Sequence, residues 1–347
     1  MATITARLDD FQRRHPKAGY PLAVLYKFFD DQGGYLAALI TYYGFVSLFP
    51  LLLVFTTVLG MLLEHNEGLR DRIVSSVLEQ IPVVGEQLSD PSALSGGPVA
   101  VIIGLAGALY GGLGVAVASQ NAMNVVWTVP RNCRPNPILV RVRGFVLLFT
   151  VGLTLVLLVG VSIAVTALRV GGDVGSLLTQ IGSALLMLIL FVFAFRFGTA
   201  RTLTVTDVLP GAVVAAIGWQ VLQHFGGVYI ERVIARTQQI NGVFAVVLGL
   251  LAFIYLAAIL LVFSLEINAV RVDKLYPRAV LTEFTDAVDL QRGDIRAYTR
   301  SAQAQRAKGF EIIDVAFDNP REHPSNEPER GTADQPTSPL STRPPER

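Results

Sequence analysis

Polar and apolar positions along this chain fall into long blocks, not short periods. Six stretches hold no Asp, Glu, Lys or Arg: residues 32–63, 91–130, 144–168, 174–195, 208–230 and 237–265. A helix needs about 20 apolar residues to cross about 30 Å of hydrocarbon, and each stretch is long enough. The pattern predicts an all-α polytopic membrane protein, a six-helix bundle with spans at about 36–63, 99–126, 144–168, 176–197, 208–229 and 243–265. Most of the intervening loops are short, so neighbouring helices run antiparallel. The membrane domain then covers residues 36–272, between an N-terminal segment, 1–35, and a C-terminal tail, 273–347.

Local chemistry refines individual spans. Pro50 lacks a backbone donor and predicts a bend in the first span, with Ser47 positioned to help satisfy the freed carbonyl groups. In the following polar segment, Leu69, Ile73, Val77 and Ile81 recur every four residues, the pattern of a short amphipathic helix on the membrane surface. Gly107 and Gly111 in the second span form a small-xxx-small pair that permits close helix approach. Beyond residue 273 the composition turns polar. Short helices fit residues 275–317, with Val280, Phe284, Val288 and Ile295 as a loose apolar stripe. The Pro-rich stretch from Asn319 onward cannot bury enough apolar surface to fold alone and reads as disordered.

Composition agrees with the block pattern. Hydrophobic residues make up 52% of the chain, charged residues 16%, and mean hydropathy is +0.51. Soluble domains carry about 25% charged residues, so a soluble enzyme, a disordered chain and a disulfide scaffold are all excluded. A net charge of +1 gives no electrostatic case for nucleic acid, and the lone Cys133 forms no intrachain disulfide. Residues 1–31 lack the apolar core and cleavage site of a signal peptide. Lys and Arg divide fourteen to five between alternate loops, the richer set including Arg131, Arg134, Arg141, Arg143, Arg196, Arg201, Arg271, Lys274 and Arg278. Positively charged loops stay inside, so both termini are expected to be cytoplasmic.

Catalytic patterns are missing from the sequence. His15, His65, His224 and His323 show no metal-ligand spacing, and there is no phosphate-binding glycine loop or nucleophile elbow. No cofactor or metal is expected, and the reading is not an enzyme. The informative residues are polar groups inside the spans, which are costly in hydrocarbon unless they face protein or water. Gln220, Gln223 and His224 share one side of the fifth span, fitting either a substrate or proton path or plain interhelical hydrogen bonding. Gln120, Asn121 and Asn124 lie at the end of the second span, where amides readily meet water, with Trp127 as an interfacial anchor. Glu266 ends the last charge-free stretch, followed by Asn268. Arg143, Arg196 and Arg201 are expected on the same side, either as ion-pair partners for Glu266 or as a site for a charged headgroup. Tyr42 and Tyr43 pack or anchor at the interface, or line a polar entrance together with Thr41 and Ser47.

Several of these residues carry a resemblance. Ala37-Ala38-Leu39-Ile40-Thr41-Tyr42-Tyr43 followed by Ser47-Leu48-Phe49-Pro50-Leu51-Leu52 resembles the first-helix signature of the YihY/BrkB family. Ala122-Met123-Asn124-Val125-Val126-Trp127, Pro210-Gly211 with Trp219, and Ser264-Leu265-Glu266-Ile267-Asn268-Ala269 are similar to its later elements. Ser264 stands where a glycine is usual, the proline usual after the fourth helix is missing, and Asn241-Gly242-Val243 replaces a common turn. These departures indicate a distant branch. The resemblance implies six helices, a bacterial inner-membrane location and roles in envelope lipid handling or export. Some members carry a ribonuclease label, for which this chain has no clustered carboxylates or histidine pairs. The resulting expectation is a protein that moves or handles an amphipathic envelope molecule such as a lipid. The alternatives are a non-transporting scaffold and, last, a membrane-embedded enzyme. Its expected partners are membrane lipids, proteins bound through the tail and a second copy of the chain, but not nucleic acid.

Overall fold

Backbone N–H and C=O groups have no water to bond in hydrocarbon, so each long apolar block satisfies them internally as a helix. The computed structural model describes residues 10–62, 98–167, 172–233, 239–280 and 289–317, and these residues contain helices and no strand. A short α1 (Tyr20–Asp30) precedes α2 (Gly33–Leu62), α3 (Pro98–Val126), α4 (Pro137–Ala167), α5 (Gly172–Gly198), α6 (Val205–Val233) and α7 (Gln239–Asp273); α8 (Arg292–Ala304) follows. Four of the long helices hold candidate membrane spans, at Pro137–Leu158, Leu177–Gly198, Val205–Gly226 and Val247–Asp273. In α2 the described apolar stretch is shorter, Gly33–Leu48. The expected count of six spans is therefore supported directly for four.

Contacts run antiparallel along the chain. Leu158 of α4 packs near Met187 of α5, Gln220 of α6 bonds Ser183 of α5, and Gly211 of α6 faces Asn268 of α7. The start of α2, the end of α3, the start of α4, the end of α5, the start of α6 and the end of α7 thus share one end of the bundle, the basal end. Four helices, α4 to α7, extend past the charge-free stretches that predicted them, and two of them do so by several residues. α4 starts at Pro137, which places Arg141 and Arg143 on its first turns, and α7 continues through Glu266 to Asp273. Charged side chains at helix ends reach water or a partner without ending the helix, so absence of charge underestimates helix length.

The α2–α3 seam explains the glycines of α3. A Cβ on Gly111 would lie 2.4 Å from the Ser47 Cβ, and one on Gly107 would lie 3.0 Å from Pro50. The small-xxx-small pair therefore receives α2 of the same chain. Ser47 Oγ donates to the Gly44 carbonyl at 2.9 Å. It does not serve the Val46 carbonyl that Pro50 frees, which corrects the expectation, because a serine hydroxyl in a helix reaches back along its own turn. The second proline, Pro210 in α6, is supported from α7. Asn268 accepts from the Gly211 N–H at 2.7 Å and donates to the Val208 carbonyl at 3.0 Å, while Arg271 takes the Thr206 carbonyl.

The buried core is concentrated toward the basal end, around Ala122, Val126, Phe195, Val208, Val262 and Leu265. Large apolar side chains such as Ile102, Phe149, Val156 and Ile217 face outward, as a lipid-facing surface does. Beyond α7 the chain folds back over the basal end. Arg278 lies between Asp30 of α1 and Asp294 of α8, with its Nε 2.8 Å from the latter, and Gln291 and Asp294 form a capping box for α8. Of the expected apolar stripe, Phe284 and Val288 lie outside the described residues. So do the amphipathic helix expected over residues 69–81 and the tail from Asn319.

Candidate functional site

Two features could carry chemistry: a layer of buried polar groups at the basal end, and a cavity farther into the bundle. In the polar layer, α1 delivers Lys27, only 3% exposed, to a point beside α7, where Glu266 is fully buried. Its Nζ bonds Asp31 one turn on, lies 3.7 Å from Glu266 Oε2 and donates to the Val126 carbonyl at 3.2 Å. Neither Glu266 oxygen has an N–H donor within hydrogen-bond distance among the described residues; the Lys27 ammonium and the Asp31 carboxyl are its neighbours. Burial lifts the Asp31 carboxyl above the ordinary carboxylate range, opposed by Lys27. Burial pulls the Lys27 ammonium down, yet Glu266 and Asp31 together hold it above its usual value. One ammonium faces two carboxyls, an arrangement that holds one further proton comfortably.

None of the arginines proposed as partners pairs with Glu266, and two of them are engaged elsewhere. Arg201 makes two 3.0 Å bonds to Asp273, which also pairs with Arg300. Arg196 Nε donates to the Leu203 carbonyl at 2.9 Å, and Arg143 has a buried nitrogen without an acceptor. The sequence missed Lys27 because it lies outside every apolar stretch. Its four-residue spacing from Asp31 was the available signal.

Gln120 and Asn124 of α3 are buried and hydrogen-bonded, contrary to the expectation of a wet helix end, whereas Asn121 stays half-exposed. Gln120 donates to the Val140 carbonyl of α4 at 3.0 Å, and Asn124 accepts from the Ala200 N–H at 2.8 Å. Asn121 accepts from Arg134 at 3.2 Å. Trp127, expected as an interfacial anchor, is buried, with the Arg201 guanidinium 5.1 Å from its ring centre. The turn after α3 and the arginine-bearing loop after α5 fold over this tryptophan and take it out of the interface. Asn268 supports the start of α6, as above. Tyr42 is exposed, whereas Tyr43 packs on Gly114 and edge-on to Tyr110. In α6, Gln220 donates to Ser183 at 3.1 Å, Gln223 has an interaction of its own, and His224 is exposed beside Phe225. The structure therefore does not gather the polar residues of α6 with Glu266 into one site.

Between the helices lies a half-open cavity of about 430 Å³. Its walls come from α2 through α7 and are almost wholly apolar, with Leu48, Val151, Phe191, Phe253 and Ala257 among them. Thr154 lines it too, but its hydroxyl is spent on the Thr150 carbonyl at 2.9 Å. Ser119 adds a hydroxyl, and Trp219 adds a buried indole N–H without an acceptor among the described residues. Buried tryptophan N–H groups normally find a partner. An apolar cavity with so few polar groups suits a hydrocarbon chain carrying an ester or hydroxyl oxygen better than it suits an ion. Among the described residues no three His, Cys, Asp or Glu side chains form a group that would hold a metal.

The comparisons with known proteins agree with this membrane architecture. A family model described as virulence factor BrkB matches residues 24–283. A UPF0761 membrane protein of Nitrosospira multiformis is 24% identical over 265 residues, 71% of this chain. The match spans 59% of that relative's own length. No solved structure matches.

Proposed function

Because the chain belongs to the BrkB family and is a membrane protein, we propose that it binds an amphipathic envelope lipid by its hydrocarbon chain and assists that lipid's movement. The supporting observation is the half-open apolar cavity between the helices, with the unpartnered Trp219 N–H in its wall. Left empty, a space of this size would forfeit dispersion contacts along its apolar walls. A lipid tail from the surrounding bilayer supplies those contacts. A scaffold that only organised partners would have no use for the space. In this reading six helices cross the bacterial cytoplasmic membrane with the basal end, and both termini, on the cytoplasmic side. The excess of Lys and Arg at that end supports the orientation.

Native mass spectrometry of the gently extracted protein tests the reading. The wild type is expected to retain one or a few lipid classes. Ala257→Phe, which fills the cavity, abolishes retention, and Trp219→Phe lowers the preference for lipids bearing a polar group near the chain. Retention that is indiscriminate and unchanged by Ala257→Phe refutes the proposal and leaves the scaffold reading ahead.

A further inference from the structure

A second depression, of about 760 Å³, lies at the basal end on the outer side of α5, between α4 and α6. Three arginines line it: Arg143 from the first turns of α4, Arg196 from the last turn of α5 and Arg201 from the loop that follows. They differ in state. Arg201 is paired with Asp273, a carboxylate it shares with Arg300. Arg143 and Arg196 have no carboxylate partner among the described residues, and Arg143 Nη1 is buried without an acceptor. The nearby Asp207 is turned to the Thr204 hydroxyl and N–H, at 2.6 and 2.9 Å. The depression therefore presents two guanidinium groups without a carboxylate, of which Arg196 spends its Nε on the Leu203 carbonyl.

Away from those charges its wall becomes apolar. Leu188, Ile189, Val192 and Phe193 continue it along α5, and Leu209 closes it from α6. From Arg196 back to Leu188 is eight residues, about 12 Å at 1.5 Å per residue. Both arginines sit at the basal ends of their candidate spans, Pro137–Leu158 and Leu177–Gly198, where hydrocarbon gives way to water. Cations at the water boundary with an apolar trough running inward from them match an anionic amphiphile, charge outward and tail inward. Guanidinium groups favour phosphate because their donors meet two of its oxygens at once.

We infer that Arg143 and Arg196 form a binding site for the phosphate headgroup of an anionic membrane lipid, whose acyl chain lies in the trough along α5. The site rests on the lipid reading above and names its class as phosphate-bearing lipids. Arg201, held by Asp273, shapes the floor and leaves the headgroup to the other two. A lipid arriving here stands beside α5, the same helix whose other side lines the central cavity through Met187, Leu190 and Phe191.

The test titrates detergent-solubilised full-length protein with phosphatidylglycerol, phosphatidylcholine and diacylglycerol, and reads retained lipid by native mass spectrometry. The variants are Arg143→Gln, the double change Arg143→Gln/Arg196→Gln, and the lysine pair Arg143→Lys/Arg196→Lys. The wild type is expected to prefer phosphatidylglycerol over phosphatidylcholine by about tenfold, because both present a phosphate but the choline ammonium cancels its charge and is repelled by the arginines. The glutamine variants lose that preference, the lysine pair keeps part of it, and diacylglycerol retention is unchanged throughout. Unchanged diacylglycerol retention also shows that the glutamine variants are folded. If phosphatidylglycerol holds no advantage, or keeps it in the double glutamine variant, the headgroup site is wrong while the cavity reading stands. If diacylglycerol is not retained by the wild type, the cavity reading fails as well. Displacement of phosphatidylglycerol by excess inorganic phosphate overturns the lipid assignment in favour of a free-phosphate site.

Discussion

Lys27 decides the electrostatics at the residue scale. It is the cation that makes Glu266 tolerable in a fully buried position, and it also holds Asp31 and the last carbonyl of α3. Removing one partner of a buried ion pair costs about 3–5 kcal/mol, because it strands the remaining charge. Lys27→Met is therefore expected to lower the thermal unfolding midpoint in detergent more than Glu266→Gln does. The double variant should recover part of that loss, since neutral glutamine no longer needs the ammonium. Additive losses in this double-mutant cycle would show that Lys27 and Glu266 do not act as a pair.

Glycine contacts set how closely neighbouring helices approach at the scale of the element, and they differ in what they meet. A Cβ at Gly211 would lie 2.0 Å from the Ser264 carbonyl oxygen, which is backbone and cannot swing away. At Gly218 the obstacle is the tip of Leu260, at 2.5 Å, which can change rotamer. Gly211→Ala should therefore cost about 1–3 kcal/mol, the range of overpacking strain, and disturb the Asn268 bonds that support α6 beside Pro210. Gly218→Ala should cost clearly less. Thermal melts of the two variants side by side measure the difference, and equal losses would refute the backbone argument.

Orientation is the open property at the scale of the whole molecule, and the chain carries its own reporter. Cys133 is exposed in the short connection between α3 and α4, at the basal end. If that end is cytoplasmic, a membrane-impermeant maleimide labels the thiol in inside-out vesicles and leaves it unlabelled in intact spheroplasts. The opposite pattern would invert the topology and move the arginine-lined depression to the outer leaflet. The folded-back segment adds a constraint at this scale. Arg278 ties α1 to α8 through Asp30 and Asp294, so α8 is held at the basal end.

The sequence by itself determined the class, the family and the position of the long helices. Hydropathy is a sum over neighbours in the chain, and a bilayer reads it locally. The motifs around Tyr42, Asn124, Pro210 and Glu266 carried the family resemblance that the family match bears out. Which polar groups meet was decided only by tertiary structure. Glu266 looked toward the arginines in sequence, yet α1 brings Lys27 to it, and Arg201 turns to Asp273. Trp127 read as an interfacial anchor until the loops of α3 and α5 covered it. The cavity and the arginine-lined trough were equally illegible, since each is a space enclosed by several helices at once. An interior polar side chain takes the partner that packing sets beside it, and packing depends on the crossing of whole helices.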